Sequence, residues 1–179
     1  MVRAEDLRTW RLGDYRTHYS ADPKRGGGVI FDLIHELNYP GWMLGERLKF
    51  ISGVSTKISL LEIGTEDVAE SVLVSSQGAL VSVHQDYFQV PGGRSCEVWG
   101  NKWTIIWRWL VSQGHNRHKI YFHTISGSHT VSFSEQWRNM YLREVKDFMR
   151  HVRVSRGYTN IDEAIHDMKN AMRLKKARI

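Results

Sequence analysis

One cysteine, Cys96, and three prolines are all that the 179 residues hold of either type. A lone cysteine excludes an intrachain disulfide and any multi-cysteine zinc cage, so a reducing, cytoplasmic setting is expected. No apolar run approaches the roughly 18 residues that a membrane-spanning helix needs. The opening MVRAEDLRTW has acids where a secretory signal needs its apolar segment, so no such signal is expected. The motifs of several common chemistries are also missing: there is no Walker loop, serine elbow or HExxH pair. The dinucleotide fingerprint G-x-G-x-x-G is missing too, because the glycines at 26–28 are contiguous and no strand is predicted before them. His115, His118, His123 and His129 come nearest to a histidine cluster. His118 and His123 would point to opposite faces of a strand, so no metal is expected. Nothing has the pattern of a recognition helix, zinc finger or RNA-binding aromatic motif. The formal charge of +6 gathers near helix ends, at Arg150, Arg153, Arg156, Arg173, Lys175, Lys176 and Arg178, where cations oppose the helix dipole. Neither nucleic acid nor a membrane is an expected partner.

What is present reads as one globular domain. The chain is long enough to bury a core without staples, and its seven Trp and seven Tyr suit cores, sugar sites and interfaces. Residues 1–23 read as an irregular lead-in punctuated by Gly13, Ser20 and Pro23. After the glycines at 26–28, Ile30, Leu33, Ile34 and Leu37 recur at helical spacing, which predicts a buried helix over 27–38. Pro40 should break or kink it, and Gly45 should cap a last turn. The period then changes. Residues 47–60, 67–76 and 79–88 alternate as strands, the last two joined by a tight turn at Gln77-Gly78. Further strands are predicted at 94–100, 103–110, 118–124 and 128–133. Short connections make the sheet largely antiparallel. Ser134 is the expected cap of a helix carrying Trp137, Met140, Tyr141, Val145, Phe148 and Met149. Asn160 is the expected cap of a closing helix over 160–179. Both apolar stripes read as core. The fold class is α+β, a large open, mostly antiparallel sheet with helices packed on one face. Trp103, Trp107 and Trp109 share a face of their strand, either against the helices or as a subunit interface.

Chemistry concentrates in the segment from Gly26 to Glu36. Asp32 and His35 lie one helical turn apart. Polar groups in so apolar a helix either satisfy one another or border a cleft, where Asp32 would orient a His35 imidazole that carries protons near neutral pH. Asp14, Tyr15, Arg16 and Tyr19 ahead of the glycines, with His84 and Asp86 on a central strand, offer the mixed polar and aromatic groups that suit a polyhydroxylated ligand. Arg94 could meet a carboxylate or phosphate of the same ligand.

The run KRGGGVIFDLIHELNYPGWMLGE resembles the glycine-rich helix that opens the C-terminal domain of the glucose–fructose oxidoreductase and inositol dehydrogenase (Gfo/Idh/MocA) family. DYRTHYSADPKRGGG resembles the approach to that helix, TEDVAESVLVSSQGALVSVHQDY its paired strands, CEVWGNKWTIIW the next hairpin and NIDEAIHDMKNAM the final helix. The resemblance implies a substrate-binding and oligomerising domain that works beside a Rossmann domain holding NAD or NADP, on a sugar or polyol. It implies that His35 is the acid/base and that Asp32 helps to position substrate and histidine. It also implies that the open sheet face makes a homo-oligomer.

Two features depart from that family pattern. Asp32 and His35 are one residue closer together than usual, and Asn38 stands where an acid is common. The Rossmann half, with the lysine it contributes to catalysis, has no counterpart here, so the chain is expected to bind no cofactor and to turn over nothing by itself. A companion chain could supply the missing half. The alternative is a standalone ligand-binding or assembly module that kept the fold and lost the chemistry.

Overall fold

The computed structural model describes residues 1–112, 115–153 and 161–178. Its strands are β1 (Val2–Asp6), β2 (Lys49–Thr56), β3 (Val68–Val74), β4 (Leu80–Asp86), β5 (Phe88–Trp99), β6 (Trp103–Ser112), β7 (His115–Thr124) and β8 (Gly127–Gln136). They form one sheet in the order β2-β3-β4-β1-β5-β6-β7-β8. The β2–β3–β4 and β5–β6–β7–β8 neighbours pair antiparallel, whereas β1 pairs with β4 in parallel. The helices are α1 (Leu7–Trp10), α2 (Val29–Asp32), α3 (His35–Leu44), α4 (Trp137–Arg153) and α5 (Ile161–Lys176). The expected class, helices on a mostly antiparallel open sheet, is what the chain adopts.

The chain divides into two compact units, Met1–Gly92 with Ile165–Ile179, and Gly93–Ala164. In the first, the alternation along β3 and β4 sorts residues between faces. Ala69, Ser71 and Leu73 oppose Gln85, Val83 and Val81, and α2 and α3 pack on this side. Val29 and Ile30 of α2, Leu33 between the helices, Leu37 of α3 and Ala171 and Leu174 of α5 close the core with Leu7 and Tyr87. Completely buried residues such as Val29 and Ile30 each contribute about 1.5–3 kcal/mol.

Three expectations need correction here. The lead-in is not irregular throughout, because β1 inserts beside β4 in the middle of the sheet. Five residues of mixed polarity, VRAED, carry no strand signature; the pairing partners come from far along the chain. The helix predicted over 27–38 is two helices, interrupted at Leu33, which has left helical geometry (φ −111°, ψ 30°). The carbonyl of Leu33 is taken up by the buried Gln85 Nε2 at 2.7 Å. Pro40 lies inside α3 rather than ending it. It removes only the helical bond to the Glu36 carbonyl, which a helix supported by packing tolerates.

In the second unit, Trp109 is buried and donates from Nε1 to Asn116 Oδ1 at 3.1 Å, while Asn116 donates to Met140 Sδ of α4. Trp103, on the same face of β6, is 44% exposed against 7% for Trp109. The stripe of α4 expected as core is largely exposed at Tyr141, Val145 and Phe148. Ser134 does not cap α4, because β8 runs through it to Gln136. The expected cap at Asn160 lies outside the described residues.

The glycine turn into α2 is sterically closed. A Cβ on Gly27 would lie 2.2, 2.6 and 2.8 Å from the carbonyl oxygens of Tyr19, Ser20 and Asp22, whereas one on Gly26 meets nothing. Gly27→Ala is expected to destabilise the chain by about 2–3 kcal/mol. Gly26→Ala, strained only by its φ of +77°, should cost about 1–2 kcal/mol. Urea unfolding of both variants checks the order.

Candidate active site

Asp32 ends α2, and its side chain is 3% exposed. A carboxylate this dry must be met by donors. Arg11 Nη2 reaches both of its oxygens, at 2.7 and 2.6 Å. Ser20 Oγ and Tyr87 Oη each donate at 2.7 Å, and the Tyr19 hydroxyl donates as well. These donors come from three places: the C-cap of α1, the 3₁₀ turn Tyr19–Ala21 and the turn that follows β4. Arg11 also bonds Ser20 Oγ through Nε and lies over the Trp10 ring, 3.7 Å from its centroid.

Burial alone would raise the Asp32 carboxyl, but the bonds from Arg11, Tyr19, Ser20 and Tyr87 outweigh it and hold the group below the usual carboxylate range. Tyr87 is pushed up by its burial and by the neighbouring Asp32 charge. Asp32 is thus a fixed anion at neutral pH with its lone pairs spoken for, unsuited to take a proton from a ligand.

His35 opens α3 just past the interruption and is exposed. Its ring lies 5.9 Å from that of Tyr39, and no hydrogen bond joins it to Asp32. The interruption of the helix between the two removes the shared helical side on which the spacing placed them. Asn38, one turn on, donates to Asp167 of α5 at 2.6 Å.

The other predicted residues divide into separate groups. Tyr19 joins Asp32. Asp14 caps the turn Tyr15–Thr17 and pairs with Arg16, which also reaches Glu62 at 3.0 Å; Tyr15 Oη accepts from the Glu62 amide. His84 bridges Glu70 at 2.5 Å and Asp86 at 2.8 Å. It points away from α2 and α3, since its neighbour Gln85 faces them. Arg94 belongs to the second unit and stacks over Trp107, 5.7 Å from its centroid. The expected substrate set is therefore not one cluster.

Residues missed in the sequence hold the site together. Arg11, Ser20 and Tyr87 secure Asp32. Lys175 of α5 bonds the Gly27 carbonyl at 3.0 Å and both oxygens of the buried Glu66, at 2.9 and 3.0 Å. A cation in the last turn of a helix reads as dipole compensation, so nothing in the sequence marked Lys175 as the anchor of the glycine turn. Among the described residues no group of three or more His, Cys, Asp or Glu could hold a metal ion.

Comparison with known proteins adds a family and a fold. The family described as GFO/IDH/MocA C-terminal domain matches residues 1–106. No curated protein matches the chain. Among solved structures, KijD10, a 3-ketoreductase from Actinomadura kijaniata bound to NADP and TDP-benzene, superposes with a TM-score of 0.76 at 13% identity, over 99% of this chain and 52% of its own. A putative NADPH-dependent oxidoreductase from Desulfitobacterium hafniense reaches 0.73 at 13% identity, over 98% and 52%. A putative oxidoreductase from Erwinia carotovora atroseptica reaches 0.64 at 15% identity, over 99% and 54%. The chain spans about half the length of these structures.

Two pH dependences follow from the charges. The Asp32 carboxyl is lower in the folded chain than its unfolded value of about 3.9. Its contribution is complete above that value and is lost as pH falls through it toward the folded one. Asp32→Asn leaves Arg11 buried without its counter-charge and is expected to cost about 3–5 kcal/mol at pH 7, read by urea unfolding. His84 runs the other way. Its bond to Asp86 raises it to about 9, against the opposing effect of burial and with Glu70 assisting. Its stabilisation is complete below about 6.5, the unfolded value, and fades as pH rises to about 9. Unfolding curves at pH 6 and pH 9.5 should differ less for His84→Gln than for the parent chain.

Proposed function

The chain belongs to the Gfo/Idh/MocA family through its C-terminal domain, and we propose that it is the substrate-binding part of an NAD(P)-dependent oxidoreductase acting on a sugar or polyol. The observation that carries this reading is the placement of His35. An accessible imidazole opens α3, directly behind a glycine turn and a buried anion that rigidify the approach to it. Such a group can take a proton from a reacting hydroxyl, or return one to a carbonyl, while hydride moves to or from a nicotinamide. The TDP-benzene and NADP bound by KijD10 are consistent with a sugar-like substrate and a nicotinamide partner.

The nicotinamide would be held by a Rossmann domain, either on the same polypeptide or on a companion chain. None of the residues described here forms the glycine-rich strand-to-helix turn that cradles a pyrophosphate. By itself the chain would be inactive. The exposed indole of Trp103 and the apolar groups around it on the sheet suit a homo-oligomer through that face. We further propose a soluble, cytoplasmic setting; among the described residues no helix is long and apolar enough to cross a membrane.

The test is His35→Ala in the enzyme reconstituted with its nucleotide-binding half. Because the side chain is exposed, folding and NADPH binding should be unchanged. Turnover should fall by about 10²–10⁴. Turnover retained within a few-fold would rule out the acid/base role.

A further inference from the structure

The sheet has two outer strands, β2 and β8, and an outer strand turns a row of backbone N–H and C=O groups away from the sheet. β2 is blunted. Its register shifts at a bulge between Phe50 and Ser52, its Ser55 amide donates to the Ala177 carbonyl at 2.8 Å, and Lys49 stands at its start. β8 has none of these devices. It pairs with β7 without a shift from Gly127 to Gln136. Every residue from Gly127 to Ser134 is exposed, and among the described residues no strand pairs with its outer side. Its sequence there, GSHTVSFS, holds no Lys, Arg, Asp, Glu or Pro, the residues that keep exposed edges from pairing. The strand's one carboxylate, Glu135, is bound to Arg143 of α4 at 2.6 Å. Ser128, Thr130, Ser132 and Ser134 share one face of β8. His129, Val131 and Phe133 share the other, where Val131 is 39% and Phe133 47% exposed.

We propose that β8 pairs antiparallel with β8 of a second copy of this chain, across a two-fold axis near Val131. A two-fold contact needs a segment that complements its own reverse, and the stretch from Ser128 to Ser134 does so on both faces. With Val131 on the axis, Thr130 faces the partner's Ser132, and hydroxyls meet hydroxyls. On the other face His129 meets the partner's Phe133. The rings of Phe122 and His129 already stack across β7 and β8, with centroids 6.3 Å apart, as do those of His118 and Phe133 at 4.6 Å. Pairing carries these rows on into the second copy, and cross-strand aromatic pairs stabilise a sheet. No like charges are opposed anywhere along the pair. The bare backbone would take any extended strand; the matched side chains on both faces favour a second copy. This contact is separate from the sheet-face contact proposed above, and it does not depend on the reading of the chain as part of an oxidoreductase.

The experiment measures the mass of the chain in solution by light scattering. The parent chain should weigh at least twice the 20.9 kDa of one copy. Thr130→Lys combined with Ser132→Lys sets like charges against each other across the axis and should halve that mass. Thr130→Glu combined with Ser132→Glu should halve it too. Mixed in equal amounts, the two variants should recover the parent mass, because each Lys then faces a Glu; a folding defect would not be repaired by mixing. Both positions are exposed, so each variant should still unfold cooperatively. The parent's midpoint should rise with protein concentration more steeply than that of either variant. A parent mass of one copy, a mass unchanged by either double substitution, or variants that stay apart when mixed would each overturn the proposal. If Trp103→Asp halves the mass and the β8 substitutions do not, the contact lies on the sheet face alone; β8 pairing is then removed and the oxidoreductase reading is left intact.

Discussion

A carboxylate withdrawn from water costs several kcal/mol unless its charge is matched and its lone pairs are filled. Asp32 meets that demand with Arg11, Tyr19, Ser20 and Tyr87, and in doing so fastens α1, the turn at Tyr19, α2 and the turn after β4 to one point. The approach to His35 depends on this knot. Arg11 has no reason to turn inward without the anion, and Tyr87 would bury its hydroxyl unpaired. Ser20 would lose the acceptor of its hydroxyl proton.

A second knot secures the other side of the same turn. Glu66 accepts from Lys175, and the Lys175 ammonium also holds the Gly27 carbonyl. Gly28 has φ +110°, and any side chain there would run into the Glu66 carboxylate. The glycines are thus needed for close approach rather than for mobility. Two ion pairs, one on each side of three glycines, make the loop rigid, as the proton-transfer role proposed for His35 requires.

The division of labour between faces of the sheet follows from the pleat. Residues of β3 and β4 alternate between a side that packs on helices and a side that does not, so Gln85 reaches the interrupted helix while His84 turns away to Glu70 and Asp86. A charge cluster on the side away from α2 and α3 ties two strands together and leaves the chemistry near Asp32 and His35 untouched. Along β6 burial differs within one face: Trp109 finds Asn116 and is covered, whereas Trp103 is left partly in solvent.

Strand alternation, the glycine turn and the presence of the two closing helices were legible in the sequence because each depends on neighbours two to four residues apart, although the apolar stripes of those helices, expected as core, are largely exposed. That local information sufficed for the α+β class, for most strands and for the segment bearing Asp32 and His35, and the family likeness it carried is matched over residues 1–106. Everything that depends on partners distant in sequence was not legible. β1 is a strand because β4, some 80 residues on, pairs with it. The helix breaks at Leu33, and Gln85, 52 residues away, receives its carbonyl. Asp32 is an anion held by a tyrosine 55 residues later, and Lys175 becomes an anchor only once α5 returns to the glycine turn. Local spacing determined which residues could form elements and carry chemistry; tertiary structure decided which of them meet, because a buried charge selects its partners by position in space.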